Sequence, residues 1–291
     1  QYIVLNAFLD TVPVPIFLKN PKGFYQNVNS AFSEALGMQF EEIIGKSISD
    51  IDPMYLIEKS QDADKLILET GEKQEYEAQI LFGDGLRHEV IVNKAVFRDS
   101  AGKIAGIIGA ITDITERKIN EAKIQHMALH DQLTGLANRN MFFAQLDKAL
   151  AKAKRHGYTL ALLYIDLDGF KAINDELGHD VGDVVLKVVG KRLQSHTRKS
   201  DTVCRLGGDE FALLAEMVED PEAMASIAEK IINSISETIT AMGKSFQVGA
   251  SVGIAIYPDH ASDPDTIMKK ADTAMYKAKR KKTGSYCFYA D

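Results

Sequence analysis

The chain has 291 residues, 45% of them hydrophobic and 26% charged. It is too long for one ordinary domain of about 100–200 residues, and too rich in apolar residues for a disordered chain, so two cored domains are expected. Net charge is −7 with no basic stripe, which argues against a nucleic-acid binder. The charge is uneven: residues 1–115 carry 10 Lys and Arg against 17 Asp and Glu, and 116–291 carry 24 of each. The apolar run "IAGIIGAI" (104–111) falls far short of the ~18 residues of a membrane span. Cys204 and Cys287 show no metal-ligand spacing, so a reduced, cytoplasmic protein is expected. The sequence opens on Gln1 rather than Met, which reads as a fragment whose parent could be membrane-tethered.

In chain order, strands are predicted at 14–18 and 24–28 around the turn "KNPKG". Short helices follow at 30–36 and 40–44, with Gly37 and Gly45 where C-caps belong. Three strand-like runs cover 75–82, 86–98 and 103–112, joined by "GDG" and "DSAGK". This β-β-α-α-β-β-β order over residues 1–115 predicts an antiparallel sheet with helices on one side. Residues 116–130 lack Gly and Pro, and Ile119, Ala122, Ile124, Met127 and Ala128 recur at helical spacing. They predict a linker helix, with a short coiled coil as one option.

From 131 to 291 the pattern alternates. Helices are predicted at 138–156, 180–195, 221–241 and 264–280. Strands are predicted at 160–167, 202–206, 211–216 and 246–257. The result is an α/β domain on a central sheet.

Two acidic spots carry chemistry. "YIDLDGFKAIND" ends an apolar strand at Asp166 and Asp168, and carboxylates at a buried strand end are costly without a cation. An EF-hand is excluded, because Phe170 and Lys171 stand where Asp or Asn and Gly are needed. In "CRLGGDEFALL", Gly207 and Gly208 permit the positive φ of a two-residue primed turn beside Asp209 and Glu210. If the two strands are neighbours, Asp166 converges with Asp209 or Glu210. Few, hard oxygen ligands suit Mg²⁺ or Mn²⁺ shared with phosphates. Either spot alone reads more readily as a solvated turn. Together with Lys171 they point to phosphoryl transfer.

The motifs "DQLTGLANR" (131–139), "DLDGFKAINDELGHDVGD" (166–183), "RLGGDEF" (205–211), "SVGIA" (251–255) and "ADTAMYKAK" (271–279) occur in order. On these residues the chain resembles a GGDEF-family diguanylate cyclase, which joins two GTP into cyclic di-GMP and releases two pyrophosphates. The resemblance implies a polymerase-palm-like, nucleotide-cyclase α/β fold. It implies metal binding by Asp166, the Leu167 carbonyl, Asp209 and Glu210, with a proton acceptor in the last pair. It implies that Asn174 and Asp183 bind the guanine edge, with His179 close by. It implies that Lys171, Lys279 and the N–H groups of Gly169 and Phe170 hold the phosphates, where Gly207 and Gly208 admit GTP to the backbone. A carboxylate at Asp183 accepts from guanine N1–H and the exocyclic amine, a donor pair that adenine lacks.

Three further features come with the resemblance. Arg198 and Asp201 ("RKSD") stand where the family binds cyclic product as an inhibitor, with Arg205 adding a contact. Thr283 stands where the family has a phosphate-binding Arg, and Lys281 or Lys282 could substitute without the bidentate fork. Each active site holds one GTP, so catalysis implies a homodimer.

Residues 1–115 resemble a PAS domain, on "VPVPIFLKNPKGFYQNVNSAFSEALG", "EEIIGKSISDI" and "GAITDITERK". No Cys is present there, which excludes flavin–thiol photochemistry. His88 reads as structural rather than as a haem ligand, and no sensor ligand is named. A cyclic di-GMP receptor or a GTP-binding module signalling through dimer state remains the alternative. Retention of both acids at the glycine turn favours the enzyme.

Overall fold

The computed structural model describes residues 7–51, 57–281 and 284–290, the side chains of 57–59 excepted. The chain divides into two units, residues 1–123 and 124–291.

In the first unit, strands Ile16–Lys19 (β1) and Tyr25–Val28 (β2) form a hairpin. Helices follow at Ser30–Leu36 (α1), Phe40–Ile43 (α2), Ile48–Ile51 (α3) and Ile57–Thr70 (α4). Strands Gln74–Leu81 (β3), Arg87–Arg98 (β4) and Ile104–Asp113 (β5) complete an antiparallel sheet in the order β2-β1-β5-β4-β3. Asn29 starts α1 by accepting from the Phe32 N–H, and Gly37 ends it at φ 64°, as its C-cap position predicts. Phe17, Tyr25, Phe32, Ile43, Val90, Val92 and Ile111 form the core between sheet and helices.

Beside that core lies a buried ionic cluster that the sequence did not announce. Asp64 on α4 takes Lys19 Nζ at 2.8 Å and Lys94 Nζ at 2.5 Å, and Lys94 also donates to Ser60 Oγ at 2.8 Å. Burial lowers both lysine pKa values, against the pull of Asp64. His88 on β4 does serve structure: it lies between Asp84 Oδ2 (3.0 Å) and Asp113 Oδ2 (2.6 Å) and stacks on Phe82.

The helix Thr115–Leu129 (α5) leaves the sheet where predicted. Every residue from 116 to 129 is at least partly exposed, with Ile119, Ile124 and Met127 among the exposed large apolar residues.

In the second unit, helix Arg139–His156 (α6) precedes the central strand Leu160–Asp168 (β6). Then come helices Phe170–Leu177 (α7) and His179–Ser195 (α8), strands Thr202–Gly207 (β7) and Glu210–Ala215 (β8), and helix Ala223–Ile235 (α9). Strands Ile239–Ala241 (β9), Lys244–Phe246 (β10) and Gly249–Tyr257 (β11), helix Pro264–Lys281 (α10) and strand Tyr286–Phe288 (β12) finish the unit. The main sheet runs β12-β11-β6-β8-β7, antiparallel except for the β11–β12 pair.

β6 is buried on both faces, so its run is continuously apolar rather than alternating. Leu163 and Ile165 face a core with Val185 and Val189 of α8 and Ile231 of α9. Leu160 and Leu162 face another, with Phe142 and Leu146 of α6 and Ile267 and Ala271 of α10.

The helix expected over 221–241 stops at Ile235, because Ile239 and Ala241 alternate along a strand. Met242 at φ 50° and Gly243 at φ 75° then form the two-residue turn into β10. The helices α3, α4 and α7 and the strand β12 were not anticipated. Among the described residues no helix is long and apolar enough to cross a membrane.

Candidate active site

The site gathers at one end of β6. Strand pairing sets Asp166 opposite Glu210, and the Leu167 N–H donates to the Asp209 carbonyl at 3.2 Å. The three acids therefore converge because β6 and β8 are sheet neighbours. The turn itself is shifted by one residue from expectation. Gly207 pairs with Glu210, so Gly208 and Asp209 form the tip. Gly207 (φ 152°) and Gly208 (φ 53°) both hold backbone that favours glycine.

Arg205 fixes that tip. Its Nε and Nη2 donate to the Gly208 carbonyl at 3.0 and 2.8 Å, and its Nη1 reaches Asp131 Oδ2 at 3.1 Å. Asp131 also accepts from the Thr134 N–H and hydroxyl. The sequence leads one to expect Arg205 to add a contact to the Arg198–Asp201 site; here its guanidinium is engaged by the Gly208 carbonyl and Asp131.

Lys279, in the last turn of α10, places Nζ 2.5 Å from Asp166 Oδ1. Burial raises the Asp166 pKa, and the charges of Asp209 and Asp168 add to that rise. The Lys279 bond opposes it without cancelling it. Lys279 itself is partly buried, which lowers its pKa, but its bond to Asp166 and the three aspartates outweigh this and leave it raised. One ammonium thus does not neutralise the carboxylates at this strand end. On the same sheet face, the Tyr164 hydroxyl is hydrogen-bonded to Glu210; burial first, then Glu210, raises the phenol pKa.

Asp168 plays a different part from its neighbour. It is buried and accepts from Ser251 Oγ at 2.8 Å and from the Gly284 N–H at 2.9 Å.

After the strand, Gly169 turns at φ 77° and opens α7, whose first-turn N–H groups lie beside the acids in the chain. Lys171 projects from that turn, exposed. Asn174 on α7 lies against Gly182 on α8: a Cβ at 182 would overlap Asn174 Oδ1. Asp183 is the next residue and is exposed, as is His179 at the start of α8. Gly182 was missed by the sequence reading, although the close spacing "GHDVGD" carries it.

Arg198 and Asp201 come together in a turn, with the Arg198 N–H donating to Asp201 Oδ2 at 2.9 Å. Both line a cleft of about 240 Å³ with residues of the 215–227 segment. Thr283 and Lys282 lie outside the described residues, and Lys281 ends α10, exposed.

Among the described residues no three His, Cys, Asp or Glu side chains could enclose a metal by themselves. The donors present are hard oxygens in excess of their cations. That fits Mg²⁺ or Mn²⁺, which bind through one or two carboxylates and take remaining ligands from phosphates and water.

A family profile for the diguanylate cyclase GGDEF domain matches residues 128–285. The chain belongs to the GGDEF family. A PAS-fold profile matches residues 9–119, and the antiparallel sheet of the first unit agrees with it.

Among GGDEF relatives, the chain is 46% identical over 166 residues to the diguanylate cyclase TpbB of Pseudomonas aeruginosa, covering 56% of this chain and 38% of TpbB. It is 30% identical over 278 residues to the cyclic di-GMP phosphodiesterase PdeR of Escherichia coli, covering 94% of this chain and 41% of PdeR. The chain spans about a quarter to two-fifths of the length of such curated relatives. The solved coiled coil and GGDEF domain of DgcB from Caulobacter crescentus, in complex with c-di-GMP, superposes with TM-score 0.55 at 28% identity. That match covers 60% of this chain and 93% of the other.

Proposed function

We propose that the chain is a diguanylate cyclase that condenses two GTP into cyclic di-GMP and two pyrophosphates. The observation that carries this reading is the pairing of Asp166 with Glu210 beside Asp209, with Lys279 as the cation in contact with Asp166. Asp166, the Leu167 carbonyl, Asp209 and Glu210 would hold Mg²⁺ or Mn²⁺. The bound ion would neutralise phosphate charge and lower the pKa of the attacking 3′-hydroxyl.

The remaining work falls to the chain. The first-turn N–H groups at Gly169 and Phe170 and the Lys171 ammonium hold the β- and γ-phosphates, as a helix N-terminus suits an anion. Lys279 reaches the same phosphates by releasing Asp166. Asn174 and Asp183 accept and donate along the guanine edge, beside His179, and the uncovered Gly207–Gly208 backbone lets the nucleotide approach. Asp209 accepts the 3′-hydroxyl proton. The oxygen then forms a bond to the partner nucleotide's α-phosphorus as pyrophosphate leaves.

Each site holds one nucleotide, so two copies of the catalytic domain must face each other. The exposed apolar residues of α5 supply a surface for pairing the copies. Domain limits at 1–115, 116–130 and 131–291 follow from this division of labour, with the PAS domain adjusting the dimer. Product binding at Arg198 and Asp201 would inhibit, the guanidinium forking onto guanine or phosphate. A cytoplasmic setting would supply the GTP and suits the two unpaired cysteines.

A second reading rests on the similarity to a phosphodiesterase over 94% of the chain: the domain binds GTP or cyclic di-GMP and signals without turnover. Incubation with GTP and Mg²⁺, with Asp209→Ala as control, separates the two. Cyclic di-GMP from the unmutated protein alone supports the cyclase. Tight nucleotide binding without product supports the receptor.

A further inference from the structure

The second aspartate of "DLDGF" is not needed for any role above, yet it is buried at the catalytic strand end. An ionised carboxylate there must be compensated. Its two oxygens have definite partners: Oδ1 takes the Ser251 hydroxyl from β11, and Oδ2 takes the Gly284 N–H. Neighbouring backbone leaves room for this arrangement. Gly249 pairs directly with Asp168, and a Cβ at 249 would lie 3.0 Å from Asp168 Oδ2.

Gly284 lies five residues beyond Lys279. The next residue, Ser285, donates its hydroxyl to the Ala278 carbonyl at 3.0 Å. Its own carbonyl takes the Val252 N–H at 2.9 Å. Gly284 and Ser285 are therefore pinned to β6, β11 and the Ala278 carbonyl of α10, the helix whose Lys279 Nζ touches Asp166.

We propose that Asp168 is a positioning residue that latches the end of α10 to the catalytic strand and so holds Lys279 over the nucleotide phosphates. The Lys279 part of this rests on the cyclase reading. The latch acts through hydrogen bonds and not through charge. This separates it from a carboxylate metal ligand, which acts through its negative charge. Asparagine keeps the shape and can keep both bonds: its oxygen accepts from Gly284, and its amide donates to a Ser251 hydroxyl that rotates to accept. Alanine loses both.

The test compares Asp168→Ala, Asp168→Asn and Ser251→Ala in the full chain, with and without Lys279→Ala. Two readouts are independent of turnover: hydrogen exchange at the Gly284 amide, and GTP affinity in Mg²⁺ by calorimetry. Asp168→Ala is expected to speed Gly284 exchange and weaken GTP binding about two- to twelvefold, the range of one net hydrogen bond. Asp168→Asn restores both, and Asp168→Ala costs nothing further once Lys279 is alanine. Asn behaving as badly as Ala would overturn the latch in favour of a charge role. So would a full Asp168→Ala loss in the Lys279→Ala background. If Asp168→Ala fails to fold, Ser251→Ala decides through the same two readouts. Failure of the unmutated protein to make cyclic di-GMP would remove the cyclase reading, and Gly284 exchange would still decide the latch.

Discussion

Gly182→Ala is the sharpest test of how the guanine end is built. The added Cβ would overlap Asn174 Oδ1 and stand 3.3 Å from the Phe170 ring. Gly182 is buried and packed within α8, so the backbone has little room to yield. Asn174 sits on a short helix and is half-buried, so its carboxamide is the part that moves. Overpacking of this kind costs about 1–3 kcal/mol when nothing yields. Displacement of Asn174 relieves most of that and gives up the bond to the guanine edge proposed for it, worth about 0.5–1.5 kcal/mol. The expected outcome is a two- to twelvefold higher KM for GTP (about 1.4 kcal/mol per factor of ten), a smaller change in kcat, and a melting temperature lowered by only a few degrees. Steady-state kinetics beside a thermal melt read both quantities. An unchanged KM with a strongly lowered melting temperature would refute the reasoning, because Asn174 would then not lie where GTP binds.

Lys279→Met leaves Asp166 without its nearest cation; GTP affinity should fall, and the Asp166 pKa, already raised by burial, should rise further, read by carboxylate NMR. Arg205→Ala frees the Gly208 carbonyl and Asp131; cyclase activity should drop at least tenfold while GTP still binds, and wild-type turnover would count against the clamp. His88 has a raised pKa, first through its bond to Asp84 and then, against its partial burial, through Asp113. Its stabilisation is thus fully present below the unfolded value near 6.5 and lost as pH climbs through the folded value. The first unit should melt lower at pH 8.5 than at pH 6, and His88→Gln should flatten that difference. Chelation of divalent ions should abolish turnover and lower GTP affinity, with recovery on adding Mg²⁺.

The glycine-turn acids and the strand ending in Asp166 were legible because apolar runs flank polar residues so sharply that only one strand register buries them. Their convergence was conditional on sheet order, which no local pattern encodes. The internal tasks of Arg205 and Asp168 were hidden for the same reason. Their partners Asp131, Ser251 and Gly284 lie 74, 83 and 116 residues away in the chain. The helix over 221–241 was overrun because Met242–Gly243 is a weaker turn signal than Asn–Gly, and Ile239 and Ala241 fit either period. The Lys19–Asp64–Lys94 cluster gave no signal, since each charge alone reads as solvated surface.

The most direct test of the cyclase assignment is the stoichiometry of products from GTP and Mg²⁺ at protein concentrations that permit pairing of two copies. Cyclic di-GMP should appear with two pyrophosphates for each molecule formed, and Asp209→Ala should form neither. Pyrophosphate or phosphate release without cyclic di-GMP, or cyclic di-GMP undiminished by Asp209→Ala, would contradict it.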